Sequence, residues 1–498
     1  MATVPPLWRD ADAYVQLTSP PNQSTILLHG PLYCELARVP LWIGDRATGG
    51  AMRFSAFIKH PRLTDTGIYL LLLVQHVGFW MAAFSILSAL SASVFVRVVL
   101  SLFIASQPVF YTFAHCLGSE TLSMIEMALL VGLGFRMATA RPTVKAQWWL
   151  FAALLLFCSI ITRHINVLLI MLLPLTFLLL ALTEWWRSSR TPAVANGTTP
   201  RFRSHLRSLG MSVLIGLLAV LLANGYTQLL CRKARIQSRS EFGLTFLWRL
   251  DFLRAMPSPA RQNLFARVSR RVSLPDSRRF LGLLQVWIDQ HETWDPAQFI
   301  VAARATLDPS GSRSSREHFD RVLNEVAAAF LYPPVRPLIT TAGDDFIQST
   351  RMTEGEIARY LFATTDYVNI HRSQLPQATS LLTFRRPSDE VMKFRRAAYF
   401  HLWDFLSFRG WCVVWSGTVA LLWWLRRQGP DLPAEAVAFA ATVLFAGVLM
   451  VLLNCFFAKI LPRFALPMME LVLLSVSVLL GSLLSGSRAP LPAVRASD

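Results

Sequence analysis

Charge is scarce in this chain. Asp, Glu, Lys and Arg make up 16% of its 498 residues, while 53% are hydrophobic. A soluble protein carries roughly a quarter charged residues, so a soluble globular class is excluded. Other signatures are missing too. There is no Walker loop, no GxGxxG, no GxSxG, and no HxxxH or HExxH pair, which removes the local signals of nucleotide, dinucleotide, hydrolase and zinc-protease chemistry. The six cysteines, Cys34, Cys116, Cys158, Cys231, Cys412 and Cys455, form no CxxC pair. That spacing gives neither a disulfide framework nor a zinc site. A formal charge of +18 suggests nucleic acid as a partner, but no nucleic-acid motif accompanies it. Much of the basic charge flanks apolar runs, where it sets orientation in a membrane.

What is present is a series of long apolar runs. Stretches of roughly 17–25 apolar residues suffice to cross a hydrocarbon core of about 30 Å. The pattern predicts an all-α polytopic membrane protein with about nine spans, near 67–90, 98–114, 121–135, 147–162, 166–183, 209–230, 410–425, 434–457 and 466–484. The second and third are short and joined by a tight Gly118-Ser119 link, a pattern that fits a partly re-entrant pair. With the N-terminal segment outside, thirteen basic residues fall in inner loops (Arg97, Arg136, Arg141, Lys145, Arg187, Arg190, Arg201, Arg203, Arg207, Arg426, Arg427, Arg488 and Arg495). Three, Arg163, Lys459 and Arg463, fall in short outer ones. The positive-inside rule favours that orientation. An outside N-terminus with no preceding span needs help to cross, so a further span ahead of residue 1 is expected.

The predicted organisation is therefore an outer first loop at 1–66, a bundle of about six spans at 67–230, a mainly helical outer insertion at 231–409, three spans at 410–484 and an inner tail at 485–498. Within the first loop, Ile26 to Trp42 is amphipathic and suits a helix lying in the membrane interface. Within the insertion, Arg316–Phe330 and Thr353–Thr364 have helical patterns. Pro257-Ser-Pro259, Asp308-Pro-Ser-Gly311 and Pro333-Pro334 punctuate it.

Four polar pieces share the outer face under this topology: Asp10 and Asp12, Ser119-Glu120-Thr121, Thr162-Arg163-His164, and Lys459 with Arg463. Each has a bland reading. A Glu at a span end is often an interfacial or helix N-terminal acid, and an Arg there snorkels. Taken together, acids and cations on one face suit a phosphate-linked lipid donor. Arg and Lys bind the phosphate and stabilise it as it leaves, and a carboxylate accepts the proton of an attacking hydroxyl. Two acids near one another equally suit a divalent cation held through oxygen ligands. The residues alone leave both roles open, and no metal ligand is assigned. His76, in mid-span, reads as a hydrogen-bonded packing residue. Glu126, inside the third span, is costly to bury and so more suggestive.

The order of these pieces resembles a known family. Asp10 stands four residues before Tyr14 and is followed by His29-Gly-Pro-Leu-Tyr33. Ser119-Glu-Thr-Leu122 comes after a span containing Pro108, and Pro462-Arg463-Phe464 with Pro467 comes near the end. This is similar to the membrane glycosyltransferases of the C superfamily, in particular the protein mannosyltransferases and aminoarabinose transferases. The resemblance covers the N-terminal third and the last pair of spans, and not 231–409. It implies Asp10 as general base with Asp12 second, Glu120 as the second acid, and Arg463 as the late cation, with Phe464 where the family has Tyr. The absent first span and the inserted 231–409 depart from the family pattern.

The expectation is an inner-membrane, multi-pass glycosyltransferase acting on its extracytoplasmic face. It moves a sugar, with inversion, from a polyprenyl-phosphate donor to a hydroxyl on a lipid, glycan or protein. The candidate catalytic residues are Asp10, Asp12 and Glu120, and the candidate donor-phosphate residues are Arg163, Lys459 and Arg463. Membrane lipids are the other expected partner. An O-antigen polymerase or ligase is the rival enzyme reading and rests on His371 and Arg372. A non-enzymatic lipid-linked-sugar transporter is the rival from another class. It requires charged residues inside several spans, where this reading finds only Glu126 and His76.

Overall fold

A computed structural model describes residues 6–9, 11–19, 26–27, 30–90, 92–140, 144–189, 200–236, 242–307, 313–370, 400–426, 434–459 and 461–485. The protein is a helical polytopic membrane protein. In chain order, a two-residue strand β1 (Leu7–Trp8) precedes α1 (Ala11–Thr18), α2 (Leu32–Ala47), α3 (Asp65–Ala89), α4 (Val94–Ser106) and α5 (Pro108–Ala114). Strand β2 (Cys116–Leu117) leads into α6 (Ser119–Thr139). Then come α7 (Ala146–Thr162), a 3-10 turn at His164–Met171 continuing as α8 (Leu172–Ser189), and α9 (Pro200–Lys233). Later elements are α10 (Phe242–Leu247), α11 (Ser258–Ser269), α12 (Pro275–Gln290), α13 (Pro296–Leu307), α14 (Arg313–Leu331), α15 (Arg336–Ser349) and α16 (Glu354–Ile370). The last are α17 (Phe408–Arg426), α18 (Ala434–Phe457) and α19 (Leu466–Ser485).

All nine predicted spans are helical, but they are not equal. Among the described residues six helices are long and apolar enough to cross a membrane, seven when the bent pair α4–α5 is taken as one span. Helix α7, with 17 residues, stands at the lower limit of that length and is not among them. The α4–α5 pair bends by 70°. The cause is local: Pro108 disfavours a helical conformation at Gln107, which is extended (φ −77°, ψ 118°) and caps α5. Helix starts follow the usual chemistry. The Thr64 side chain accepts from the Gly67 amide ahead of α3. Thr353 and Glu356 form a reciprocal capping box at the start of α16, at 3.1 and 2.8 Å.

By its contacts the chain divides into two compact units, Met1–Ile236 with Thr350–Met450 and Ala465–Asp498, and Gln237–Ser349 with Val451–Phe464. One boundary between the units falls between Ser349 and Thr350. In the first unit α3 packs on α6 and α2, α9 on α7 and α8, and α17 on α19. Exposed Leu73, Val77, Met81 and Phe84 give α3 a lipid-facing stripe, whereas α19 is buried along nearly all its length. Helix α2, outside the candidate spans, leaves Leu36, Val39 and Ile43 exposed on one side and buries Tyr33, Ala37 and Leu41 on the other. Residues of the insertion join this unit. The Trp8 amide donates to Thr365 Oγ1 at 2.8 Å, and the Trp411 indole donates to Glu354 Oε1 at 2.9 Å. Asp404 takes a two-pronged contact from Arg359 at 2.8 Å on each oxygen.

The second unit has its own core, in which Phe246, Leu250, Phe280, Leu284, Phe299, Phe319, Val326 and Phe330 are buried. Phe457, at the end of α18, packs against this core beside Phe242, ring centres 5.6 Å apart. Arg249 is fully buried and pairs with Asp345 at 2.5 Å.

Two predictions concern this framework. Helices α2 and α3 touch backbone to backbone: a Cβ on Gly44 would lie 2.2 Å from the Gly67 Cα. Gly44→Ala is expected to destabilise the first unit by about 1–3 kcal/mol, read as a lower melting temperature of the detergent-solubilised protein. Gly210→Ala, with open space around it, is expected to be neutral or slightly stabilising. The second concerns Glu354, whose carboxyl burial pushes from 4.5 up to about 8, against the opposing pull of Trp411 and the Val109 amide. The folded state keeps a proton that the unfolded chain releases, so this contribution is complete below about pH 4.5 and is lost as pH rises to about 8. Melts at pH 5, 6.5 and 8 are expected to fall more steeply for the native chain than for Glu354→Gln.

Candidate active site

Glu120 is the centre of the arrangement. It lies in the first turn of α6, where a carboxylate is favoured by the helix dipole, and is 1% exposed. Two arginines from distant parts of the chain meet it. Arg9 Nη1 is 3.6 Å from Oε2, and Arg163 Nη2 is 3.6 Å from Oε1. Arg9 also donates to Ser119 Oγ at 3.4 Å. Both guanidinium groups are largely out of water, at 2% and 16% exposure, so the carboxylate supplies the counter-charge that a buried cation requires.

The backbone explains how they meet. β1 pairs in parallel with β2, Leu7 opposite Cys116 and Trp8 opposite Leu117. The Leu7 amide donates to His115 O and the Arg9 amide to Leu117 O, which brings Arg9 alongside Gly118-Ser119-Glu120. Gly118 permits that approach: a Cβ there would lie 2.8 Å from Arg9 Cβ and 3.1 Å from Glu120 Oε2. Arg163 sits where α7 stops, in an extended conformation (φ −151°, ψ 129°) between α7 and the 3-10 turn. An interrupted helix at membrane depth is tolerated where protein or a polar cavity surrounds it.

A polar seam lies beside this break. The Thr162 hydroxyl donates to Glu126 Oε1 at 2.9 Å. Asn166 Nδ2 donates to Ser123 Oγ at 2.8 Å and to both Ser159 oxygens at 3.1 Å. The His164 ring contacts Leu27 O at 2.7 Å. Glu126 is thus joined to the same helix break as Arg163 and does not stand alone in the bundle.

Of the residues singled out from sequence, Glu120 and Arg163 are brought together. Asp10 lies outside the described residues, and of Asp12 the backbone within α1 is described. Lys459 and Arg463 belong to the second unit. There Lys459 Nζ is 3.8 Å from Asp251 Oδ2, and the Arg463 guanidinium lies over the Phe464 ring at 5.2 Å. Burial raises the Asp251 carboxyl above its ordinary value despite Arg249 and Lys459. His76, read as a hydrogen-bonded packing residue, contacts His115 ring to ring at 3.2 Å. His371 and Arg372 lie outside the described residues. Among the described residues no group of three or more His, Cys, Asp or Glu side chains is placed to hold a metal ion.

Two residues escaped the sequence reading. Arg9 adjoins the acid that drew attention and was passed over in its favour. Glu470, on α19, is fully buried, and among the described residues neither carboxyl oxygen has a hydrogen-bond partner. The rule that singled out Glu126, an acid inside an apolar run, finds Glu470 equally.

If the carboxylate balances two buried guanidinium groups, Glu120→Gln is expected to cost about 3–5 kcal/mol. Glu120→Gln combined with Arg9→Met is expected to recover part of that loss. Thermal melts of the three proteins in detergent check both statements.

No protein-family model matches the sequence, and no curated protein matches it. Among solved structures, the crystal structure of ArnT from Cupriavidus metallidurans in the apo state matches at 12% identity, over 95% of this chain and 72% of that one, with a TM-score of 0.27. A TM-score this low leaves the two backbones largely unsuperposed, and nothing about chemistry is transferred from it.

Proposed function

We propose that the chain is a membrane glycosyltransferase that moves a sugar from a polyprenyl-phosphate donor to a hydroxyl acceptor outside the cytoplasm. The observation that supports this most is the convergence on Glu120 of Arg163 and of Arg9, which is next in sequence to Asp10. Glu120 orients the two guanidinium groups, whose planar forks suit phosphate oxygens. The donor phosphate binds at this pair. The acceptor oxygen attacks the anomeric carbon, the bond from that carbon to the phosphate oxygen breaks, and polyprenyl phosphate leaves with both electrons of that bond. Its new negative charge is stabilised by Arg9 and Arg163. Asp10 takes the acceptor proton, and Asp12 is its alternate. A single displacement inverts the anomeric centre.

The test uses membranes carrying the full chain and a polyprenyl-phosphate-linked sugar. Asp10→Asn is expected to lower kcat by about 10²–10⁴-fold, the usual yield of a general base, with insertion and expression unchanged. Arg163→Ala is expected to raise the KM for the donor and to lower kcat as well, since the phosphate gains charge on leaving. Full activity in Asp10→Asn removes the proposed base, and full activity in both variants removes the reading.

A further inference from the structure

The motif His29-Gly-Pro-Leu-Tyr33 has no part in the chemistry above, yet its last residue reaches the segment that carries Glu120. Tyr33, in the first turn of α2, is 3% exposed, and Gln75, on α3, is 5% exposed. The Gly118 amide donates to the Tyr33 oxygen at 3.0 Å, and the Tyr33 hydroxyl donates to Gln75 Oε1 at 3.3 Å. Gln75 Nε2 donates in turn to Cys116 O at 2.8 Å and Ala114 O at 3.3 Å. Two separate elements, α2 and α3, are therefore tied to residues 114–118, immediately ahead of Ser119 and Glu120. Neither side chain touches Glu120, Arg9 or Arg163 in any of these contacts.

We propose that Tyr33 and Gln75 are positioning residues, which hold the 114–118 segment so that the Glu120 carboxylate keeps Arg9 and Arg163 in register for a phosphate group. A bidentate cation pair loses affinity steeply when its spacing shifts by a fraction of an ångström. Tyr33→Phe leaves a buried amide without its acceptor, and the segment shifts to find another. Burial holds the Tyr33 phenol well above its ordinary value, so across the accessible pH range the hydroxyl remains both donor and acceptor. The inference rests on the lipid-phosphate reading of the arginine pair.

The experiment compares two probes, a polyprenyl monophosphate and the matching polyprenyl alcohol, binding to the full chain in lipid nanodiscs. The ratio of their affinities isolates the phosphate increment. Expected is a loss of about tenfold in that ratio for Tyr33→Phe, a similar loss for Gln75→Leu, and a near-complete loss for Arg163→Ala, with alcohol binding unchanged in all three. General loosening of the fold moves both probes together and leaves the ratio intact, and that result overturns the proposal. A normal ratio in Tyr33→Phe and Gln75→Leu beside a lost one in Arg163→Ala overturns the positioning role alone. A normal ratio in Arg163→Ala overturns the phosphate reading itself. Should Tyr33→Phe not fold, Gln75→Leu and Gln75→Glu, which keeps the acceptor oxygen and removes the donor, decide the matter by the same ratio.

Discussion

Charge buried away from water has to be balanced where it stands, and in the first unit that requirement falls on Glu120. A carboxylate at 1% exposure is balanced there by two guanidinium groups. The chain therefore has to bring the beginning of its N-terminal segment, the start of α6 and the end of α7 to one place. Much of the local architecture serves this. The short parallel pairing of β1 with β2 places Arg9, and the early stop of α7 places Arg163.

The two interruptions, at Gln107–Pro108 and at Arg163, are handled in different ways. At the first, proline dictates the break and the freed polar groups are few, because proline has no amide to satisfy. At the second there is no proline. The Arg163 amide still returns to Ser159 O, and Asn166 and Thr162 bridge to α6 through side chains. The first break is written in one residue, while the second is maintained by a network that includes Glu126. That is why an acid in the middle of an apolar helix coexists with a stable bundle.

The helical, membrane-spanning class was legible because apolar length is a local signal, while the count of nine spans was not reached. The meeting of Glu120 with Arg163 was legible too, since both lie at helix ends that antiparallel neighbours bring level. Arg9 was not. Its placement depends on two residues of strand pairing across more than a hundred positions, and β1 is too short to announce itself by alternation. The partner of Lys459, Asp251, was hidden for a related reason, since nothing local links a loop after α18 to a 3-10 turn two hundred residues earlier. Among the described residues six or seven helices meet the length and apolarity needed to cross.

Helix α19 carries a consequence of its own. It is nearly enclosed by its neighbours, although an insertion machine reading hydrophobicity would treat it as any other lipid-soluble segment. Ribosomes deliver residues 466–485 after every helix described as packing on them. The contacts that enclose α19, with the buried Glu470 among its residues, can therefore form only after its partners have been made.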